Sequence, residues 1–269
     1  MRTRSYGRIA SVVLLLWLPA ALIVGWALLP ASTSIYWPPL TVITEAFLDW
    51  AASGSLWNDI AFSMGNYLLA LVCATIVGIA IGLLIGLSPR VAEVLSPFLD
   101  FIRTLPFVVF VPILILALGV GRGPKIFLIF LACVWPILLN TMEGVRGITP
   151  GIFEVTRAYR IPWALRIRKV VIPGAMPQIA VGLRLAVTVG IVMLVVSEMY
   201  GSIEGIGFFV LRSGQRFQLP PTWAGTILIG LIGWLLTVIY GVGERRLLRW
   251  TRQQDGAGTT RLVGRNGKP

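Results

Sequence analysis

Long apolar stretches alternate with short polar ones along this chain, and the charges collect in the polar ones. No charged residue occurs from Ile9 to Leu40, from Ile60 to Ser88 or from Ile126 to Met142, lengths that approach or exceed the roughly 20 apolar residues of a membrane-crossing helix. The pattern predicts spans over 9–29, 61–87, 104–120, 124–141, 179–199 and 223–243. The third is the least regular, because it holds Pro106 and Pro112, which a span tolerates where neighbours satisfy the freed carbonyls. In the second, Ala70, Ala74, Gly78, Gly82 and Gly86 recur every fourth residue, a seam that lets another helix backbone approach closely.

The connecting segments add detail. In "PPLTVITEAFLDWAASGSLWNDI", Val42, Ala46, Leu48 and Trp50 alternate with Glu45 and Asp49, which predicts a short helix at the outer interface. The amino terminus pairs a basic tip with an apolar run too long for a secretory signal and is expected to stay as the first span. From Arg249 onward the chain is polar, Gly-rich and basic, the composition of a disordered tail held near anionic lipid. The expected division is 1–58 for the first span and outer segment, 59–248 for the transmembrane domain and 249–269 for the tail.

A mean hydropathy of +0.85 with 13% charged residues excludes an ordinary soluble domain and leaves an all-α polytopic membrane protein. The chain has no His, so the commonest general base and metal ligand are missing; neither an enzyme, a metal site nor a bound cofactor is expected. Cys73 and Cys133 both fall in apolar runs and predict buried packing. The stretch "GVGRGPK" ending at Lys125 lacks the spacing and the Ser or Thr of a phosphate loop. Energy for uphill transport must therefore come from a partner or an ion.

The net charge of +12 is read first as topology. With the amino terminus in the cytoplasm, the outer side receives only Arg122, Lys125, Arg212 and Arg216, and Arg184 sits at the inner start of the fifth span. All remaining Lys and Arg fall inside, as the positive-inside rule requires, with both termini cytoplasmic.

The long inner segment between spans four and five is the most polar insert, with four Arg, one Lys and one Glu between Gly151 and Pro177. Thr149 and Pro150 predict a helix entry, and Pro162 biases Ile161 out of helical conformation, so a helix is expected over 150–161. Val155, Ala158 and Tyr159 share one side of it; Glu154, Arg157 and Arg160 share another. A second helix opens at Pro162, carries Trp163, Ile167, Val170 and Val171 on one face, and is expected to end at Pro173 and Gly174. Two readings fit: the pair lies on the inner leaflet, or it docks into a groove on a soluble partner.

The segment resembles the cytoplasmic loop of permease subunits of bacterial ABC importers, whose motif is Glu-Ala-Ala, three residues, Gly, nine residues, Ile-x-Leu-Pro. Here the register holds without a gap: Glu154-Val155-Thr156, Arg160 at the Gly position, then Val170-Val171-Ile172-Pro173. The flanking stretches "KIFLIFLACVWPILLNTMEGV" and "GLRLAVTVGIVMLVVSEMYGSIEGIGFFVLRSG" resemble the nitrate, sulfonate and taurine branch, so the similarity covers about Asp59 to Gly243. The resemblance implies a homodimeric permease of six-span subunits in the bacterial inner membrane, two cytoplasmic ABC ATPases and an extracytoplasmic solute-binding protein. It also implies that Glu154, Val155, Ala158, Tyr159, Arg160, Ile161 and Pro173 couple to the ATPase. Arg enters the left-handed conformation less readily than Gly, so the bend is expected to move to Ile161 and Pro162.

Glu198 is the one acid deep in the fifth span and has two readings: a pathway or gate residue, or a structural cap near the outer end. The Gly- and Pro-rich stretch after it is read as an irregular outer loop with a gate near Phe208 and Phe209. The alternative function is a secondary transporter driven by protons or sodium, with Glu198 as its coupling acid.

Overall fold

The computed structural model describes residues 36–248, together with Trp17, Ala21 and residues 24–27. The expected first span lies almost wholly outside the described residues, and the tail from 249 lies outside them altogether. Every regular element among the described residues is helical. In chain order these are α1 (Leu40–Ala52), α2 (Ser55–Gly86), α3 (Pro89–Thr104), α4 (Phe110–Leu118), α5 (Arg122–Arg146), α6 (Pro150–Ala158), α7 (Trp163–Arg166), α8 (Ile172–Gly201), α9 (Ile206–Gln215) and α10 (Leu219–Leu247).

Four helical runs are long and apolar enough to cross a membrane: α2, α5, the continuous run Trp163–Gly201 and α10. They contain the spans expected at 61–87, 124–141, 179–199 and 223–243, apart from Leu87 just past the end of α2. The third expected span is different. Pro106 has no N–H to donate and holds Leu105 extended (φ −72°, ψ 124°), so α3 stops. A short 3-10 turn, Phe107–Val109, then leads into α4, and the two halves are bent by 71°.

Helix α5 is the centre of the molecule, packed along its length between α2 and α8. The small-residue seam makes this possible. Ala70, Ala74, Gly78, Gly82 and Gly86 are all buried, and a Cβ added at Gly82 would fall 2.6 Å from the Leu138 carbonyl oxygen. On the other side of α5, a Cβ on Gly182 would lie 2.7 Å from the Pro136 carbonyl oxygen. Lipid tails are as apolar as the side chains they touch, so close backbone packing of this kind, rather than water exclusion, holds the bundle together.

Cys133 is buried on this seam, its Sγ donating to the Ala186 carbonyl at 3.4 Å. Cys73, expected to be buried, is exposed. It shares a stripe with Leu69, Val72 and Ile76, all exposed, at the i, i+3, i+4, i+7 spacing of one helix face turned to lipid. Helix α10 is peripheral, burying only Ala224, Gly225 and Leu228. Trp26, Trp37 and Trp223 cluster with centroids 4.9 to 5.5 Å apart, the pattern of an interfacial aromatic anchor.

Candidate functional site

The insert between α5 and α8 folds as a bent pair of helices against the adjoining ends of those two helices. Pro150 opens α6, and Phe153 packs on the buried cluster of Val145, Ile148, Val171, Ala175 and Ile179. Thr156 is buried beside it, its hydroxyl donating to the Phe153 carbonyl at 2.8 Å. The opposite side is apolar yet uncovered: Ile152, Val155, Tyr159 and Trp163 are all exposed, Tyr159 at 79%. Ala158 lies exposed among them. Glu154 and Arg157 line a cleft of about 550 Å³ with Arg146, Trp163 and Arg166. Among the described residues the one ion pair is Arg184 with Glu244, so Glu154 and its neighbouring arginines remain unpaired within the subunit.

The bend corrects the sequence reading. It does not move to Ile161 and Pro162; Arg160 itself takes the left-handed conformation, with φ of 51°. Arg160 N–H donates to the Arg157 carbonyl at 2.9 Å and Ile161 N–H to the Thr156 carbonyl at 3.0 Å. These are the paired bonds of a Schellman motif, which places its left-handed residue one position beyond the helix cap. Two backbone hydrogen bonds outweigh a conformational penalty of about 1–2 kcal/mol for an L side chain there. The same motif recurs after α9, where Phe217 has φ of 56° and Gln218 N–H donates to the Ser213 carbonyl at 3.0 Å.

Nor do Pro173 and Gly174 end the second helix. Residues Ile167–Val171 form a π-helical turn that runs into α8. The wider turn accommodates the missing amide of Pro173, and the helical run continues for 39 residues from Trp163 to Gly201. Arg166 braces the bend by donating to the Ile161 carbonyl at 3.5 Å.

Beyond the far end of α8, the segment read as an irregular loop contains helix α9. Its first amides are capped from two other helices: Gly205 N–H by Asp59 Oδ1 at 2.9 Å, Ile206 N–H by Ser63 Oγ at 3.1 Å and Gly207 N–H by Glu198 Oε2 at 2.9 Å. Acidic groups suit the positive end of a helix dipole. Glu198 is fully buried, and Gly205 (φ 107°) leaves it room: a Cβ there would sit 2.6 Å from the carboxylate. Phe209 stacks on Trp50 of α1 with centroids 3.6 Å apart, while Arg212 lies over the Phe208 ring at 6.0 Å. The two Phe thus belong to the helix that Glu198 caps, and the three predicted residues do fall in one region.

Lys125, the last residue of the false phosphate loop, is buried here rather than facing water. Its Nζ donates to Ser202 Oγ at 2.7 Å and lies 4.8 Å from the Phe62 ring centre. Arg122 donates to Asn66 Oδ1 at 3.0 Å from above the same ring. Sequence reading missed Asp59 and Ser63, one turn apart on α2, because the amides they cap are far off in the chain, 146 residues away for Asp59.

Comparison with known proteins decides what these elements belong to. The sequence profile of the binding-protein-dependent transport system inner membrane component matches residues 74–249. The chain belongs to this family. It is similar to SsuC of Bacillus subtilis strain 168, a permease assigned to aliphatic sulfonate transport, at 32% identity over 89% of this chain and 88% of that one. The taurine transport system permease protein TauC of Escherichia coli K12 is 30% identical over 92% of this chain and 90% of its own. The bicarbonate transport system permease protein CmpB of Synechococcus elongatus is 34% identical over 86% and 89%. In fold, the chain resembles a solved inward-facing structure of the MetNI methionine ABC transporter, with a TM-score of 0.57, 18% identity and coverage of 74% of this chain and 96% of that one.

This member of the inner membrane component family is a permease subunit of an ATP-driven importer for a small solute, and a multi-pass protein of the inner membrane. It is a transport subunit rather than an enzyme: ATP is hydrolysed on a separate ATPase subunit, and a solute-binding protein completes the system. An ion-driven secondary transporter finds no support in these relationships.

Proposed function

We propose that two copies of this chain, with both termini in the cytoplasm, form the membrane pathway, and that each copy's insert is gripped by one of two ATPases. The observation that carries this reading is the uncovered apolar face of Ile152, Val155 and Tyr159 at α6 and of Trp163, the last at the start of a helical run that continues unbroken into a span. Apolar area supplies contact, while Glu154 and the unpaired arginines set register and partner choice. Closure of the ATPases moves the insert, and the insert moves α8. Glu154, Val155, Ala158, Tyr159, Arg160, Ile161 and Pro173 are the coupling residues.

The proposed cargo is a small organic or inorganic anion such as a sulfonate, taurine or nitrate. The relatives' names, aliphatic sulfonate, taurine and bicarbonate, share one compact anionic centre. At the outer face, α9 with Phe208 and Phe209 acts as a gate latched by Glu198.

The coupling role is tested in purified, reconstituted complex. Glu154→Lys and Ala158→Asp are expected to bring solute-stimulated ATP hydrolysis down to the basal rate while the permease stays inserted. Stimulation equal to wild type in both variants would reject the docking.

A further inference from the structure

Helix α10 carries no charge from Leu219 to Gly243, and Glu244, Arg245 and Arg246 follow at once. That step marks where the helix leaves hydrocarbon for the headgroups. The residues that α10 buries, Ala224, Gly225 and Leu228, lie in its first third. Toward the charged end it is tied to α8 by side chains instead: the Tyr240 hydroxyl donates to the Ala180 carbonyl at 2.5 Å, and Glu244 pairs with Arg184.

Beside that ion pair a cleft of about 360 Å³ opens between the two helices, lined by Arg184 of α8 and by Trp234, Val238, Gly241, Val242 and Arg245 of α10. The α10 residues follow the i, i+4, i+7, i+8, i+11 spacing of a single helix face. Trp234, Val238 and Val242 are exposed, and a Cβ added at Gly241 would meet nothing within 4 Å. Glycine within a helix costs stability relative to alanine; here it leaves a notch in the face. From Trp234 to Arg245 the groove runs about 16 Å along the helix, close to half of a hydrocarbon core about 30 Å thick and so the depth of one leaflet. Glu244 engages Nη2 of Arg184, whose side chain is still 57% exposed, and Arg245 has no ion-pair partner among the described residues. Arg184, Glu244 and Arg245 together leave one net positive charge at the headgroup end.

We propose that this groove is a binding site for one anionic phospholipid. Its phosphate accepts hydrogen bonds from Arg245 and from the guanidinium edge of Arg184 that Glu244 leaves free, and one acyl chain lies over Val242, the Gly241 notch and Val238 as far as Trp234. Basic pockets between membrane helices hold acidic headgroups in this way. A single net charge matches a single phosphodiester, whereas a zwitterionic lipid brings a cation of its own that Arg245 repels. The bound lipid wedges the loosely packed end of α10 against α8, the helix that continues from the insert. The inference is independent of the cargo and of the docking of the ATPase.

The test titrates phosphatidylglycerol and phosphatidylcholine of identical acyl chains onto the detergent-purified permease–ATPase complex and counts bound lipid by native mass spectrometry. The wild-type complex is expected to bind phosphatidylglycerol saturably, with about a fivefold preference over phosphatidylcholine for the one uncompensated arginine. Glycerol 3-phosphate, which offers the phosphate without the chains, should not displace it. Arg245→Gln, on the exposed helix end, should abolish the preference and leave phosphatidylcholine binding unchanged. Gly241→Leu, whose side chain enters open space and fills the notch, should reduce retention of both lipids with the arginines intact. Equal binding of the two lipids by the wild type, an unaltered preference in Arg245→Gln, unaltered retention in Gly241→Leu, or displacement by glycerol 3-phosphate would each overturn the proposal. So would a disulfide between two permease chains through Gly241→Cys in a Cys73→Ser background, which would put a second copy in the groove.

Discussion

Replacing Arg160 by glycine should make the insert between α5 and α8 harder to open. Arg160 holds φ at 51° so that its own amide and that of Ile161 can close the end of α6. An L side chain pays about 1–2 kcal/mol for that conformation and glycine does not. Glycine gives part of this back through the greater freedom of its open state, which leaves a net gain of about 1 kcal/mol. The Arg160 side chain is exposed and makes no ion pair among the described residues, so its loss removes little else from the isolated subunit. A gain of 1 kcal/mol slows local opening about fivefold. Hydrogen exchange of the Pro150–Arg166 amides, followed by mass spectrometry on the permease in nanodiscs, reads this directly. Arg160→Val should move the other way, because a β-branched residue fits the left-handed region poorly. Exchange no slower in Arg160→Gly, together with exchange no faster in Arg160→Val, would refute the assignment of the bend to this residue.

Two further outcomes follow from the outer cluster. Glu198→Ala should lower the thermal unfolding midpoint of the purified permease more than Glu198→Gln does, because Gln still offers an acceptor to Gly207 N–H whereas Ala leaves a buried donor unmade at a cost of about 1–3 kcal/mol; equal midpoints would remove the capping role. Phe208→Trp should slow solute uptake severalfold with assembly intact if α9 is a gate, and a wild-type rate would leave Phe208 as an ordinary interfacial side chain.

Much of this architecture is written in local pattern. Span positions follow from apolar length, and the packing face of α2 follows from five small residues at fourfold spacing, because both depend on neighbours in the chain. The helix pair of the insert was legible for the same reason: its apolar and charged faces repeat at helical spacing. What escaped depends on long-range or cooperative geometry. Pro173 reads as a helix stop unless the π-turn before it is known, and Arg160 reads as a poor bend residue unless both closing hydrogen bonds are counted. Glu198 had two readings from sequence, and its bond to the amide of Gly207, like those made by Asp59 and Ser63 more than 130 residues earlier in the chain, lies beyond the reach of local pattern.

On the proposed function, the run from Trp163 to Gly201 carries the grip at one end and the Glu198 latch at the other. At 1.5 Å per residue this rod is about 58 Å long, so a swing of about 10° about its midpoint displaces each tip by about 5 Å in opposite directions. A pull from below is then felt above as a shove on the amide end of α9, with no relay of side chains needed between the two faces. Inner and outer doors hung on one crankshaft cannot easily stand open together, and a hinge engineered into the middle of that shaft would let them.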